Sequence, residues 1–202
     1  MKYKMLIFDL DNTVFDYEMS ENYALDKTLG QKGEISSEQL RTMRFEEFGR
    51  VHGIEWQPEE VSLIYLGNLG QGSFTIEGAV ELLLSLKQQF RLASVTNGIS
   101  DVQRARLAHS ELDNFFDPLI ISDEVGVAKP DPGIFRILLE RAGIDDKASV
   151  LMIGDSLSSD IQGANAFGID SCWYNPSELP AEGGISPDFI IKNLQEVKDI
   201  VF

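Results

Sequence analysis

The sequence predicts an α/β fold: a parallel sheet covered by helices on both faces, three layers in all, with a small all-helical insert after the first strand. Two observations carry this. From about residue 78 onward, short apolar runs alternate with stretches of helical apolar spacing, the rhythm of a chain crossing repeatedly over a parallel sheet. An earlier apolar run at Lys4–Phe8 is cut off from the next, at Arg91–Val95, by a long segment with no strand signal. With 202 residues, 43% hydrophobic and 25% charged, the chain has the balance of one globular domain carrying an insert. Disordered, collagen-like and coiled-coil architectures are excluded on those figures.

Lys4–Phe8 is the opening strand, since four apolar residues before a carboxylate are too few for a signal-peptide core. Residues 16–77 read as helices over Glu18–Leu29, Ser37–His52 and Pro58–Leu69, with glycines between and within them. An insert at that place lies beside the carboxyl ends of the strands, where open α/β sheets bind ligands, and is expected to act as a lid. Next come a helix at Gly78–Phe90, the strand Arg91–Val95, a helix at Asp101–Phe116 and the strand Leu119–Ile121. A helix at Asp131–Ala142, the strand Val150–Ile153, a helix at Ser158–Phe167 and the strand Ser171–Tyr174 follow. Phe189–Ile191 is a short edge candidate and Leu194–Val201 the closing helix. Asp131-Pro132 offers an N-cap followed by proline at the first helical position, and Gly143 and Gly168 stand where helices end. The core is thus expected over residues 1–15 and 78–202 and the helical cap over 16–77.

Charge narrows the partners. Seventeen basic against 33 acidic residues give −16, which repels nucleic-acid backbones and anionic lipid. Neither a nucleic-acid polymer nor a membrane is an expected partner, and no apolar run reaches the roughly 18 residues of a membrane span. The lone Cys172 excludes an internal disulfide and a Cys-rich zinc site. A cytoplasmic monomer or weak homodimer is expected. Any anionic substrate then needs a local positive device.

The residues after each strand supply one. Asp9 and Asp11 leave the first strand at i and i+2, on one side of the chain, so both can reach one ion or one reacting group. Thr96-Asn97-Gly98 follows the second strand, Lys129 stands on the loop after the third, and Asp155 and Asp160 follow the fourth. Taken singly, each has a plain reading: a turn with solvated acids, a surface lysine, a capped helix start. Together, in order at successive strand ends, they combine oxygen ligands suited to Mg²⁺ with a lysine and a hydroxyl suited to a phosphoryl group. A carboxylate there can attack phosphorus to give an aspartyl-phosphate. No Gly-rich phosphate loop is present, so ATP-driven transfer is not indicated.

These segments resemble the four motifs of the haloacid dehalogenase superfamily: DxDxT at Asp9–Thr13, a Ser/Thr at Thr96, a lysine at Lys129, and GDxxxxD through Asp155 and Asp160. The resemblance spans a Rossmann-like core. TNG at 96–98, ISDEVGVAKPDPGIF at 121–135 and CWYNP at 172–176 are most similar to bacterial pyrimidine 5′-nucleotidases and neighbouring phosphatases. It implies Asp9 as nucleophile and Mg²⁺ ligand, Asp11 as general acid/base with its backbone carbonyl on the metal, and Asp155 as a further ligand. It also implies Thr96, Asn97 and Gly98 around the phosphoryl oxygens, Lys129 neutralising Asp9 and phosphate, and Asp160 orienting Lys129 or a metal-bound water. The superfamily's dehalogenases lack an acid at the position of Asp11, so its presence points to phosphate esters, whose leaving alkoxide needs a proton.

A Mg²⁺-dependent phosphomonoesterase acting on a small phosphorylated metabolite, by this resemblance a nucleoside 5′-monophosphate, is therefore expected. A general sugar-phosphate phosphatase (phosphoglycolate included), a phosphomutase and an inactive phosphate-binding module stand as alternatives. The insert is shorter than those nucleotidases suggest, by about a helix between Tyr17 and Ser36, which bears on substrate choice. The aromatics Phe15, Tyr17, Tyr23, Phe45, Phe48, Trp56, Tyr65 and Phe74 read either as core at helical spacing or as stacking partners for a base. His52 and His109 read as surface residues, and Cys172 as buried and inert.

Overall fold

The computed structural model describes residues 2–32, 49, 50, 53, 55 and 57–202. Residues 37–48, 51 and 52 of the helix expected over Ser37–His52, with Phe45, Phe48 and His52 among them, and the aromatic Trp56 lie outside the described residues. Six parallel strands form one sheet: β1 (Met5–Phe8), β2 (Arg91–Thr96), β3 (Leu119–Ile121), β4 (Val150–Gly154), β5 (Asp170–Tyr174) and β6 (Phe189–Ile191). Their spatial order is β3-β2-β1-β4-β5-β6, so the chain works outward from β1 to one edge and then resumes on its other side. That reversal opens a crevice at the carboxyl ends of β1 and β4.

The described helices are α1 (Tyr17–Lys32), α2 (Pro58–Gln71), α3 (Ala79–Leu86), α4 (Ser100–His109), α5 (Ser122–Val125), α6 (Gly133–Ala142), α7 (Gln162–Phe167) and α8 (Val197–Val201). β1 sits at the centre and is buried along its whole length, as a parallel strand covered on both faces must be. Its period-two alternation divides the core. Leu6 and Phe8 pack with Leu82, Leu83 and Leu86 of α3 and with Val197 and Val201 of α8. Met5 and Ile7 pack with Ile134, Phe135 and Leu138 of α6 on the opposite face.

Several expected helix ends shift, the first helix running Tyr17–Lys32 and the third Ala79–Leu86, and two of the shifts have identifiable reasons. The helix expected over Asp101–Phe116 stops at His109, because Glu111 takes a left-handed φ of 61° and breaks the ladder. Leu112 and Phe116 still reach the core, but from turns, so their apolar spacing recorded burial and not helix. The helix expected from Ser158 opens instead as a π-helical turn, Leu157–Ile161, that runs into α7. The helix expected from Asp131 starts at Gly133, with Pro132 in the N-cap position and not at the first helical one, while Asp131 Oδ1 accepts the Gly133 N–H at 2.7 Å just ahead of it.

The chain leaves and rejoins the core through one narrow neck. Phe15 forms an antiparallel bridge with Thr75, with the Ile76 N–H donating to Val14 O and the Asp16 N–H to Phe74 O, both at 2.9 Å. Beyond this neck α1 and α2 lie together, and Ala24, Leu69 and Val102 join them to α4. Among the described residues, no helix is long and apolar enough to cross a membrane.

Candidate active site

Register places the site before any side chain is considered. Phe8, the last residue of β1, pairs with Ile153 on one side and with Ser94 on the other, and β4 runs one residue and β2 two residues beyond that level. The Asp9 N–H continues the ladder onto Ile153 O at 3.0 Å. Asp9 therefore emerges at the mouth of the β1/β4 crevice, with Asp155 and Thr96 one residue further along the flanking strand ends.

Lys129 lies at the centre. Its Nζ donates to Asp9 Oδ1 at 2.5 Å and to Val95 O at 2.8 Å, and is paired with Asp160 Oδ1 at 2.7 Å. All three ammonium donors are thereby directed, and the group is buried. Burial alone would lower the lysine's pKa, but Asp160 and Asp9 outweigh it and hold the ammonium above its ordinary value. The loop carrying Lys129 is fixed by Asn97, whose Nδ2 donates to Lys129 O while its Oδ1 accepts the Lys129 N–H, both at 2.8 Å. The Asn97 side chain is thus engaged in positioning the lysine. Two reciprocal bonds to a backbone leave its amide with little to offer a ligand.

Asp160 is fully buried and doubly held, by Lys129 and by the Ser156 N–H on Oδ2 at 3.0 Å. The π-helical turn brings it back beneath the end of β4, and Ser156 caps that turn by accepting the Ser159 N–H. Gly154 makes room: a Cβ there would overlap the Asp160 carboxyl, 2.5 Å from its Cγ. Gly154→Ala should therefore displace Asp160, destabilise the protein by about 1–3 kcal/mol and lower turnover with it. By contrast Gly67→Ala, at an exposed helical position of α2 with nothing within 4 Å, should leave melting temperature unchanged or raised. Thermal melts of the two variants check the pair; equal melting temperatures would show that Gly154 is not needed for space.

Carboxylates of Asp9, Asp155 and Asp160 converge, with one oxygen of each within 4.8 Å of the others. Burial, reinforced by Asp160 and Asp11 against Lys129, holds the Asp9 carboxyl well above its ordinary pKa. Burial and then Asp160 push Asp155 up to about 6, although its Oδ1 accepts a bond from the Thr13 hydroxyl at 3.3 Å. One ammonium thus faces three acids, an excess of negative charge that a divalent cation would offset. Oxygen donors alone make this a site for a hard cation, and Asp9 with Asp155 are the carboxylates available, since Asp160 is already engaged on both oxygens.

Asp11 points elsewhere. Its Oδ1 pairs with Arg106 Nη1 and its Oδ2 accepts from Gln103 Nε2 at 2.7 Å. Gln103 Nε2 also lies 3.3 Å from Thr96 Oγ1, so one amide spans the first and second strand ends. Gly98 packs against that amide; a Cβ there would fall 2.6 Å from Gln103 Cγ. Neither Gln103 nor Arg106 stood out in the sequence. Their i, i+3 spacing directly after Thr96-Asn97-Gly98 was the available signal.

A cavity of about 340 Å³ opens beside Asp11, lined by Asn12, Tyr17, Leu69, Ile99, Val102 and Gln103 among others. Tyr17 is the one aromatic of the insert among those walls. Phe15 is buried in the core, and Tyr23 and Phe74 pair with each other at 5.7 Å. His109 is exposed, whereas Cys172 is buried, with its thiol pushed up to about 12 by that burial.

Comparison with known proteins gives the same picture. The family model for haloacid dehalogenase-like hydrolases matches residues 3–168. Pyrimidine 5′-nucleotidase YjjG of Escherichia coli is 33% identical across all of this chain and 99% of its own length. Pyrimidine 5′-nucleotidase PynA of Streptococcus pneumoniae is 32% identical over 98% of the chain and 95% of that protein. The structure of the HAD-hydrolase YfnB from Bacillus subtilis, bound to magnesium, superposes with a TM-score of 0.88 at 30% identity, covering 99% of both chains.

Proposed function

The chain belongs to the haloacid dehalogenase-like hydrolases, and on that premise we propose that it is a Mg²⁺-dependent phosphomonoesterase acting through an aspartyl-phosphate on Asp9, with nucleoside 5′-monophosphates as substrates. The observation that carries this reading is the Asp9 carboxylate at the β1/β4 crevice, held on the Lys129 ammonium with Asp155 beside it. Lys129 offsets charge on both the nucleophile and an arriving phosphoryl group. Asp9 and Asp155, with the backbone carbonyl of Asp11, would hold the Mg²⁺. When bound, the cation screens the phosphoryl oxygens from the attacking carboxylate.

Each step then falls to a residue of this chain. Thr96 Oγ1 and the backbone N–H groups of Asn97 and Gly98 hold the phosphoryl oxygens. A free oxygen of Asp9 forms a bond to phosphorus as the bond from phosphorus to the leaving oxygen breaks, and Asp11 gives that oxygen its proton. Water next attacks the aspartyl-phosphate; Asp11 takes the water's proton, and Asp9 and inorganic phosphate are released. Residues 16–77 serve as the cap, and their helices supply Tyr17 and Leu69 to the cavity where the leaving group would lie.

The nucleotide half of the reading rests on the two nucleotidases that resemble this chain over its whole length. Alignment with YjjG runs over 224 residues, more than the 202 of this chain, so that relative carries residues this one lacks. A shortened cap would discriminate less among leaving groups. The test is phosphate release from UMP, dTMP, phosphoglycolate and other sugar phosphates, with Mg²⁺ and with EDTA. The expected result is Mg²⁺-dependent release, with kcat/KM for UMP or dTMP at least about tenfold above any sugar phosphate. Comparable values would make it a general phosphatase. Hexose-phosphate interconversion outpacing release would make it a mutase, and absence of release would leave a phosphate-binding module.

A further inference from the structure

We infer that Gln103 and Arg106 are positioning residues that aim the Asp11 carboxyl at the leaving-group oxygen. The inference rests on the reading of Asp11 as general acid. One turn of α4 carries both residues on one face, and each engages a different oxygen of the same carboxylate. Two donors on two oxygens fix the plane of the carboxyl as well as its place, whereas a single donor would leave it free to rotate.

Gln103 shows the mark of such a role. It is buried, and its Oε1 has no hydrogen-bond partner, while Nε2 serves Asp11 and Thr96 together. In this orientation the one Nε2 donates to the Asp11 carboxylate at 2.7 Å and lies 3.3 Å from Thr96 Oγ1. A side chain serving stability alone gains nothing by leaving a buried oxygen unpaired. The amide also links the acid to Thr96, the hydroxyl assigned to the phosphoryl group, so the proton donor and the phosphoryl cradle share one support.

Arg106 is held just as firmly. It is completely buried, with Nε donating to Gly72 O and Nη2 to Ser20 Oγ, both at 3.2 Å, and its guanidinium lies 4.6 Å from the Phe15 ring centroid. Ser20 belongs to α1 and Gly72 follows α2, so the arginine that holds Asp11 also grips both described helices of the insert. Asp11 is aimed through this grip when the insert is seated on α4.

The leaving group tests this. p-Nitrophenolate departs as a stable anion and needs no proton, whereas an alkoxide does. kcat/KM covers events up to aspartyl-phosphate formation, so it isolates the step in which Asp11 acts as an acid. Gln103→Met preserves length and apolar volume and removes the donor. Its kcat/KM should fall at least about tenfold further on the best alkyl ester of the substrate panel than on p-nitrophenyl phosphate. That loss should appear in kcat more than in KM. Arg106→Lys, which keeps the charge but not the fork, should show the same bias at smaller size. Equal losses on the two esters in both variants, or a change confined to KM, would overturn the positioning role. A wild-type protein inactive on both esters would instead remove the phosphatase reading beneath it.

Discussion

Asp9→Asn is expected to abolish turnover, by roughly 10⁴-fold or more, while leaving the fold intact. An amide oxygen cannot act as the nucleophile, and no other carboxylate can replace it. Asp11 is held by Gln103 and Arg106, and Asp160 by Lys129 and the Ser156 N–H. Stability should be retained because the substitution is nearly isosteric. Lys129 keeps Asp160 and Val95 O as partners, and a carboxylate crowded by Asp160 and Asp11 becomes neutral. Melting temperature should be unchanged or slightly raised. Activity on p-nitrophenyl phosphate at the wild-type level would exclude Asp9 as the nucleophile.

Lys129→Met should damage both stability and activity. The ammonium sits between Asp9 and Asp160, both buried, and its removal strands Asp160, which no water reaches. Breaking one side of a buried ion pair costs about 3–5 kcal/mol, which for a chain of this length lowers the melting temperature by on the order of 10 °C. Turnover should fall at least about 10²-fold, since charge on the nucleophile and on phosphate then lacks its buried counter-ion. Lys129→Arg should not rescue it: three acceptors converge on one nitrogen, and a planar fork cannot place its donors there. An unchanged melting curve for Lys129→Met would show that the buried cluster does not depend on the ammonium.

Much of this site was legible because it lies at strand ends. A short apolar run, three to six residues here, marks a strand, and in a parallel sheet every such run points its carboxyl end the same way. Asp9, Thr96, Lys129 and Asp155 could therefore be placed on one rim before any contact was known. The structure then set Asp9 on Lys129, Lys129 on Asp160, and Asp155 within reach of both acids. The approach of Asp160 depends on a π-helical turn and on the missing side chain at Gly154, neither of which has a periodicity to read.

The succession of strands and helices along the chain and the acids with their lysine follow from hydrophobic spacing and from which residue stands next to each run. Those are local signals, carried within a few residues of chain. The partnership of Asn97 with Lys129, of Gln103 and Arg106 with Asp11, and of Arg106 with Ser20 and Gly72 joins residues far apart in sequence. Nothing in the residues next to Arg106 in the sequence marks it as buried. It is buried because an acid, a hydroxyl, a carbonyl and an aromatic ring converge on it from β1's loop and from the insert. Only the packing of those elements brings partners that compensate for desolvating a guanidinium.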